Sequence, residues 1–191
     1  RASKRESMSE ISPGPRALEG GPRSSSQAIA VRLEGHSAYT PLWRLQQRLA
    51  SLRHDLEIPD ILLLLEHSPV VTVGRHGRLD HVLDAGGRPV VKIDRGGDVT
   101  CHGPGQLTAY WICDLKARDL TVKAFVHELE EALIAALARW RIAGERRPGL
   151  AGVWVRGAPW SKIAALGVRV SRWVSFHGVA LNVRASALDG F

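Results

Sequence analysis

The stretch Arg95-Gly-Gly-Asp-Val-Thr-Cys-His-Gly-Pro-Gly-Gln106 sets a guanidinium and an imidazole among glycines, directly after an apolar run, Pro89-Val-Val-Lys-Ile-Asp94. Gly96 and Gly97 let the main chain approach a ligand closely or take positive φ, and Pro104-Gly105 forces a turn after His102. A strand-edge loop of this kind exposes N–H groups suited to a developing oxyanion. A tight hairpin with solvated Arg95 and His102 accounts for the same residues equally well.

Three other segments carry groups capable of chemistry. In Leu63-Leu-Leu-Glu-His-Ser-Pro-Val-Val-Thr-Val-Gly-Arg75, His67 and Arg75 read in isolation as turn and surface residues. In Trp160-Ser-Lys-Ile-Ala-Ala-Leu-Gly-Val-Arg-Val170, Lys162 opens a run of small and apolar residues. Such a lysine either snorkels to water or stands as a partly desolvated amine whose pKa falls far enough to exchange protons. In Val174-Ser-Phe-His-Gly-Val-Ala-Leu-Asn-Val183, His177 and Gly178 precede a core-like strand.

These groups must be carried by regular elements. Residues 28–33 read as a first strand. Leu42, Leu45, Leu49 and Leu52 recur at three- and four-residue steps through 39–54, which predicts an amphipathic helix with Thr40 as N-cap and Pro41 in its first turn. The runs 61–66 and 70–73, split by His-Ser-Pro, predict two strands or one broken strand. Residues 90–94 and 106–112 are expected to flank the glycine-rich loop as strands. A second helix is predicted over 121–140, with Val122, Phe125, Val126, Leu129, Leu133, Leu137 and Trp140 as its apolar stripe and Gly144 just past its end. Strands at 152–155, 162–170 and 178–183 complete an α/β unit with a mixed sheet over 28–191. Residues 1–27, rich in Ser, Pro, Gly and Arg, read as a disordered tail.

At 45% hydrophobic and 24% charged the composition is that of a soluble globular chain, and 191 residues can bury a sizeable core. Cys101 and Cys113 form no CxxC or Cys/His metal spacing, so neither a disulfide framework nor a zinc site is expected, and a reducing, cytoplasmic setting is. No apolar run is long enough to span a bilayer. The formal charge of +7 comes from dispersed cations without interleaved aromatics, which points away from nucleic acid and toward acidic protein partners.

Taken together, Leu-Leu-Leu-Glu-His-Ser-Pro…Gly74-Arg75, the segment Arg95 to Gln106, Lys162-Ile-x-x-x-Gly167-Val-Arg and His177-Gly-x-Ala-Leu-Asn182 resemble the lipoyl(octanoyl) transferases. The resemblance runs from about Ala28 to the last residue. It implies the α/β (α+β) fold of biotin- and lipoate-protein ligases, a mixed β-sheet flanked by helices. It also implies an acyltransferase that moves octanoyl from acyl carrier protein to a lysine of lipoyl domains, those of 2-oxoacid dehydrogenase E2 subunits and the glycine cleavage H protein. Neither cofactor nor metal is needed, because the thioester is already activated. A monomer is expected.

By motif position Lys162 is the lysine that assists a cysteine thiolate. The family's substrate-contacting segments fall on Arg95, Gly96, Gly97, Asp98, Val99, Thr100, Cys101 and His102, on Ala165, Leu166 and Gly167, and on Gly178, Val179 and Ala180. The basic residues Arg75, Arg78, Arg95 and Arg169 would steer an acidic carrier protein. The family's nucleophilic cysteine sits in a Pro-Cys-Gly turn that these 191 residues do not include, so a C-terminally truncated and catalytically weak enzyme is expected. Cys101 and Cys113 do not fit that role. The alternatives are an ATP-dependent lipoate- or biotin-protein ligase relative and an inactive fragment that binds acyl carrier protein.

Overall fold

A computed structural model describes residues 28–188, so the tail expected at 1–27 lies outside the described residues. The strands are β1 (Ala28–Ser37), β2 (Asp60–His67), β3 (Val70–Val73), β4 (Val90–Lys92), β5 (Val99–His102), β6 (Gln106–Asp114), β7 (Gly144–Arg147), β8 (Leu150–Val155), β9 (Ser161–Ser171) and β10 (Val174–Asn182). The helices are α1 (Tyr39–His54) and α2 (Val122–Ala138). A seven-stranded mixed sheet has the order β1-β2-β6-β10-β9-β8-β7, and a three-stranded sheet has the order β4-β3-β5. In the large sheet β1 runs parallel to β2 and every other neighbour is antiparallel. The expected mixed sheet with flanking helices is therefore present.

Alternation along the strands assigns the two faces. Tyr110, Ile112, Val174 and Phe176 pack with Leu42 and Ala50 of α1, whereas Cys113 and Val179 pack with Phe125 and Leu129 of α2. The helices thus cover opposite sides of the large sheet. The α1 stripe is rotated from the leucine pattern: its buried positions are Tyr39, Leu42, Gln46, Ala50 and Arg53, while Leu45 is 40% exposed. Two polar residues hold core positions because each has a fixed partner. Gln46 Oε1 accepts from the His177 N–H at 2.8 Å, and Arg53 Nε donates to Asp60 Oδ1 at 2.6 Å. Asp60 also accepts from Arg118 Nε at 2.7 Å, and its carboxylate joins β2, α1 and the turn after β6.

Several boundaries differ from the sequence expectation. Ala38, not Thr40, precedes α1 as its cap residue and offers no side-chain hydrogen bond. Thr121 caps α2 by accepting from the Ala124 N–H at 3.1 Å, and the helix stops at Ala138, leaving Trp140 80% exposed instead of in the stripe. β7 was not expected: Gly144 begins this edge strand, which reads poorly as Gly-Glu-Arg-Arg because half its surface faces water. The runs split by His-Ser-Pro are two strands in different sheets. The supposed loop 95–106 contains β5, which pairs antiparallel with β3.

Candidate active site

The floor of the site is the β9–β10 pair on the side of the sheet that α1 partly covers. Ala165 lies opposite Ala180 and Gly167 opposite Gly178, so nothing larger than a methyl group projects there. Gly178 is required: a Cβ would stand 2.2 Å from the Ala109 carbonyl oxygen. Arg95 crosses above Gly167, and the Gly96 N–H donates to the Val168 carbonyl at 3.0 Å, which closes one end. The roof is Tyr39 together with Thr100 and His102 of β5. The resulting slot is narrow and partly open to solvent.

Of the residues expected at the site, Arg95, Thr100, His102, 165–167 and 178–180 line this slot. Leu166 and Val179 belong to the α2 side by alternation and border the slot through their main chain. Gly96 braces its end. Gly97, Asp98, Val99 and Cys101 do not line it. Asp98 is turned outward to His81 Nδ1 at 2.8 Å, and Cys101 faces a separate cavity bounded by Pro69, Arg88 and Ala187. The Gly96 N–H, bound to Val168, is not available for an oxyanion.

Buried polar groups ring the slot. His67 Nδ1 meets the Ser37 carbonyl at 2.9 Å, so that nitrogen carries the proton and Nε2 accepts from the Tyr110 hydroxyl at 2.5 Å. His102 Nδ1 likewise donates to Gln106 Oε1 at 2.6 Å and stacks on Tyr39 with centroids 5.7 Å apart. Burial pushes His67 down to about 4 and His102 down to about 3, so both rings are neutral at pH 7. Burial also raises the Tyr39 and Tyr110 hydroxyls above their ordinary value, so both remain hydrogen-bond donors.

His177 has φ +59, and its ring is almost wholly enclosed. Nε2 donates to Asp94 Oδ1 at 3.2 Å, which leaves Nδ1 as a buried acceptor without a partner. That hydrogen bond holds the Asp94 carboxyl below the usual range, and burial lowers His177. Arg95 is 7% exposed, and its guanidinium donates to Thr72 O and Thr72 Oγ1, both at 3.0 Å, and to Gly96 O at 2.9 Å. Among the described residues no carboxylate lies within salt-bridge distance of it, so the slot has a buried positive charge at its closed end. Contrary to the sequence expectation, Arg95 is therefore buried too deeply to steer a partner from the surface.

Lys162 does not line the slot. It is the second residue of β9, three positions before Ala165, and its amine lies over the Trp154 ring, 4.7 Å from the centroid. Partial burial lowers its pKa. Its main chain is linked to the slot: Gln106 Nε2 donates to Asn182 Oδ1 at 3.0 Å, and Asn182 Nδ2 reaches the Lys162 carbonyl at 3.5 Å. Neither cysteine presents a thiol to the slot. Burial raises Cys101, and Cys113, packed under α2, is pushed up to about 12 by burial and the neighbouring Asp60.

Tyr39, His67, Asp94 and Tyr110 were not singled out as site residues by sequence. His67, read alone as a turn residue, is 0% exposed. The one legible signal was polar Gln46 on the apolar face of α1. No group of three His, Cys, Asp or Glu among the described residues could hold a metal.

Residues 38–189 match the family described as the lipoyl protein ligase A/B catalytic domain. The chain is 49% identical over 162 residues to the octanoyltransferase of Xylella fastidiosa, covering 85% of this chain and 69% of that protein. It is 48% identical over 156 residues to the octanoyltransferase of Methylococcus capsulatus, covering 82% of this chain and 73% of that one. Among solved structures, P. falciparum LipL1 in complex with lipoate superposes with a TM-score of 0.60 at 14% identity, over 86% of this chain and 51% of that one. The bipartite lipoate protein ligase of Thermoplasma acidophilum does so with a TM-score of 0.54 at 16% identity, over 83% of this chain and 62% of that one. At such identities these two speak for the fold alone. The family match and the two octanoyltransferases together show that the chain belongs to the lipoyl protein ligase A/B catalytic domain family, among its octanoyltransferases.

Proposed function

We propose that the protein transfers an octanoyl group from the thioester of an acyl carrier protein to a lysine amine of lipoyl-accepting domains. The observation that carries this reading is the slot itself, a narrow cleft floored by Ala165, Gly167, Gly178 and Ala180 and closed at one end by Arg95 and Gly96. A floor without bulky side chains suits the close approach of a thin apolar tail. The neutral imidazoles and tyrosine hydroxyls around it donate hydrogen bonds without placing a mobile proton beside the chain.

The chemistry runs in two acyl transfers. A thiolate attacks the thioester carbonyl; the new C–S bond forms as the carrier's C–S bond breaks, and the departing carrier sulfur takes its proton from the Lys162 ammonium, which is left neutral. The acceptor amine then attacks the enzyme-bound acyl group, an amide bond replaces the second C–S bond, and the amine's proton passes to neutral Lys162. In its charged form Lys162 favours the thiolate in the first step. The resemblance assigns the thiol to a Pro-Cys-Gly turn, and neither Cys101 nor Cys113 lines the slot. We place the reaction in the cytoplasm, where two buried thiols without a disulfide are at home.

Intact-mass measurement tests this assignment. With an octanoyl-pantetheine thioester the 191-residue chain is expected to gain no stable octanoyl adduct, whereas the full reading frame acquires one and passes it to a lipoyl domain without ATP. An adduct on the shorter chain that disappears in Cys101→Ser, or transfer that demands ATP, overturns the assignment.

A further inference from the structure

Trp154 and Gly152 lie outside every residue assigned above, yet they decide where the Lys162 amine rests. Trp154 pairs with Lys162 across β8 and β9, and the register slips between Val153 and Trp154. The slip turns the indole under the lysine head. Gly152, at φ +124, leaves the space for the stem: a Cβ there would meet Lys162 Cε at 3.3 Å and the Ala164 carbonyl oxygen at 2.6 Å. The lysine therefore runs through a groove with no side chain in its floor and ends on an aromatic face, where a cation is attracted by the ring quadrupole.

The charged groups around this head are few. Arg147 of β7 lies over the same indole at 5.0 Å and over Trp160 at 5.3 Å. Glu130 of α2 is committed to the Gly152 N–H at 2.9 Å and to Arg146 at 3.2 Å. Glu145 is committed to Arg156 at 2.8 Å. Among the described residues no carboxylate lies within salt-bridge distance of Lys162, so the ring, not an ion pair, holds it. An ion pair would fix the amine in its charged form; an indole orients it and still lets it lose a proton.

We infer that Trp154 is a positioning residue for octanoyl transfer, fixing where the Lys162 amine stands on the β8–β9 pair, next to the strand that floors the slot. This rests on the role proposed for Lys162. Two measurements on the same variants separate the inference from that reading. Reductive ¹³C-methylation of the folded protein reports the Lys162 methyl resonance, identified by its absence in Lys162→Ala. In the native protein it is expected to be shifted upfield by the ring current, in Trp154→Phe to keep most of that shift, and in Trp154→Leu to move to the position of a solvated lysine. In transfer assays of the full reading frame, Trp154→Leu lowers kcat by roughly five-fold while KM for the acyl thioester stays within about two-fold, and Trp154→Phe restores most of kcat. A resonance equally placed in the native and Trp154→Leu proteins, or a lost shift with unchanged kcat, overturns the positioning role alone. Undiminished transfer by Lys162→Ala overturns the reading beneath it and the inference together. If Trp154→Leu does not fold, Trp154→Met, read by the same resonance, decides the matter: a resonance left at its native position overturns it.

Discussion

Two regions of this molecule gather basic side chains and rings, and they do so under opposite conditions. Around the slot, Arg95, His67, His102 and His177 are enclosed, and each side chain is tied to a specific carbonyl, hydroxyl, amide or carboxylate. Along the outer strands β7–β9, Arg147, Arg156 and Lys162 lie on the faces of Trp154 and Trp160 beside water. Removing water makes every unpaired proton expensive, so the inner imidazoles titrate far from their usual range. At the outer edge solvent screens the charges, and stacking orients them without deciding whether the fold is stable. The slot is therefore where packing and protonation bear on folding, and the edge is where stacking sets orientation alone.

The strongest way to break that distinction is Gly178→Ala. Its methyl group would be driven into the Ala109 carbonyl from the middle of two backbone ladders, so a loss of at least about 3 kcal/mol is expected in urea unfolding. A loss below about 1 kcal/mol would show that the floor yields more readily than an enclosed strand pair does.

The next effect is on pH. His67 and His102 are held neutral with folded values of about 4 and about 3, below their ordinary 6.5. The unfolded chain binds their protons first, so their stability contribution is complete above pH 6.5 and is lost as pH falls from there toward 4. Each histidine is expected to contribute up to about 1.4 kcal/mol per pH unit across that window. His102→Gln should flatten the decline measured by urea unfolding between pH 7 and 5; an equally steep decline in the variant would assign it to other groups.

The smallest effect belongs to the edge. Arg156→Gln removes a solvent-screened ion pair with Glu145 and a contact with Trp160 at 4.8 Å, and the urea midpoint at pH 7 is expected not to move. A clear fall would mean that the edge strands share in the stability of the interior.

Much of this arrangement was legible in the chain before any tertiary contact. Both helices announced themselves by spacing, and Thr121 marked the start of α2. Through the family resemblance, Arg95 to His102 and the residues at 165–167 and 178–180 were read as substrate-contacting, and nine of these fourteen line one slot. What could not be read were choices made by distant partners. The leucines of α1 predicted a face that included Leu45, but Gln46 took the buried position because it binds the backbone N–H of His177, remote in sequence. His67 looked like a turn residue because nothing local shows that Tyr110 and Ser37 will enclose it.

By itself, then, the order of residues determined the periodic elements, the turns at glycine and proline, and the family's motif chemistry, since all of these depend on neighbours within a few positions. The tertiary structure alone decided that Arg95 is buried without a carboxylate, that His177 keeps one nitrogen unpaired, and that Lys162 ends on Trp154 and not in the slot. Desolvation and partner choice set those outcomes, and both are properties of what surrounds a side chain after the sheets have closed over it.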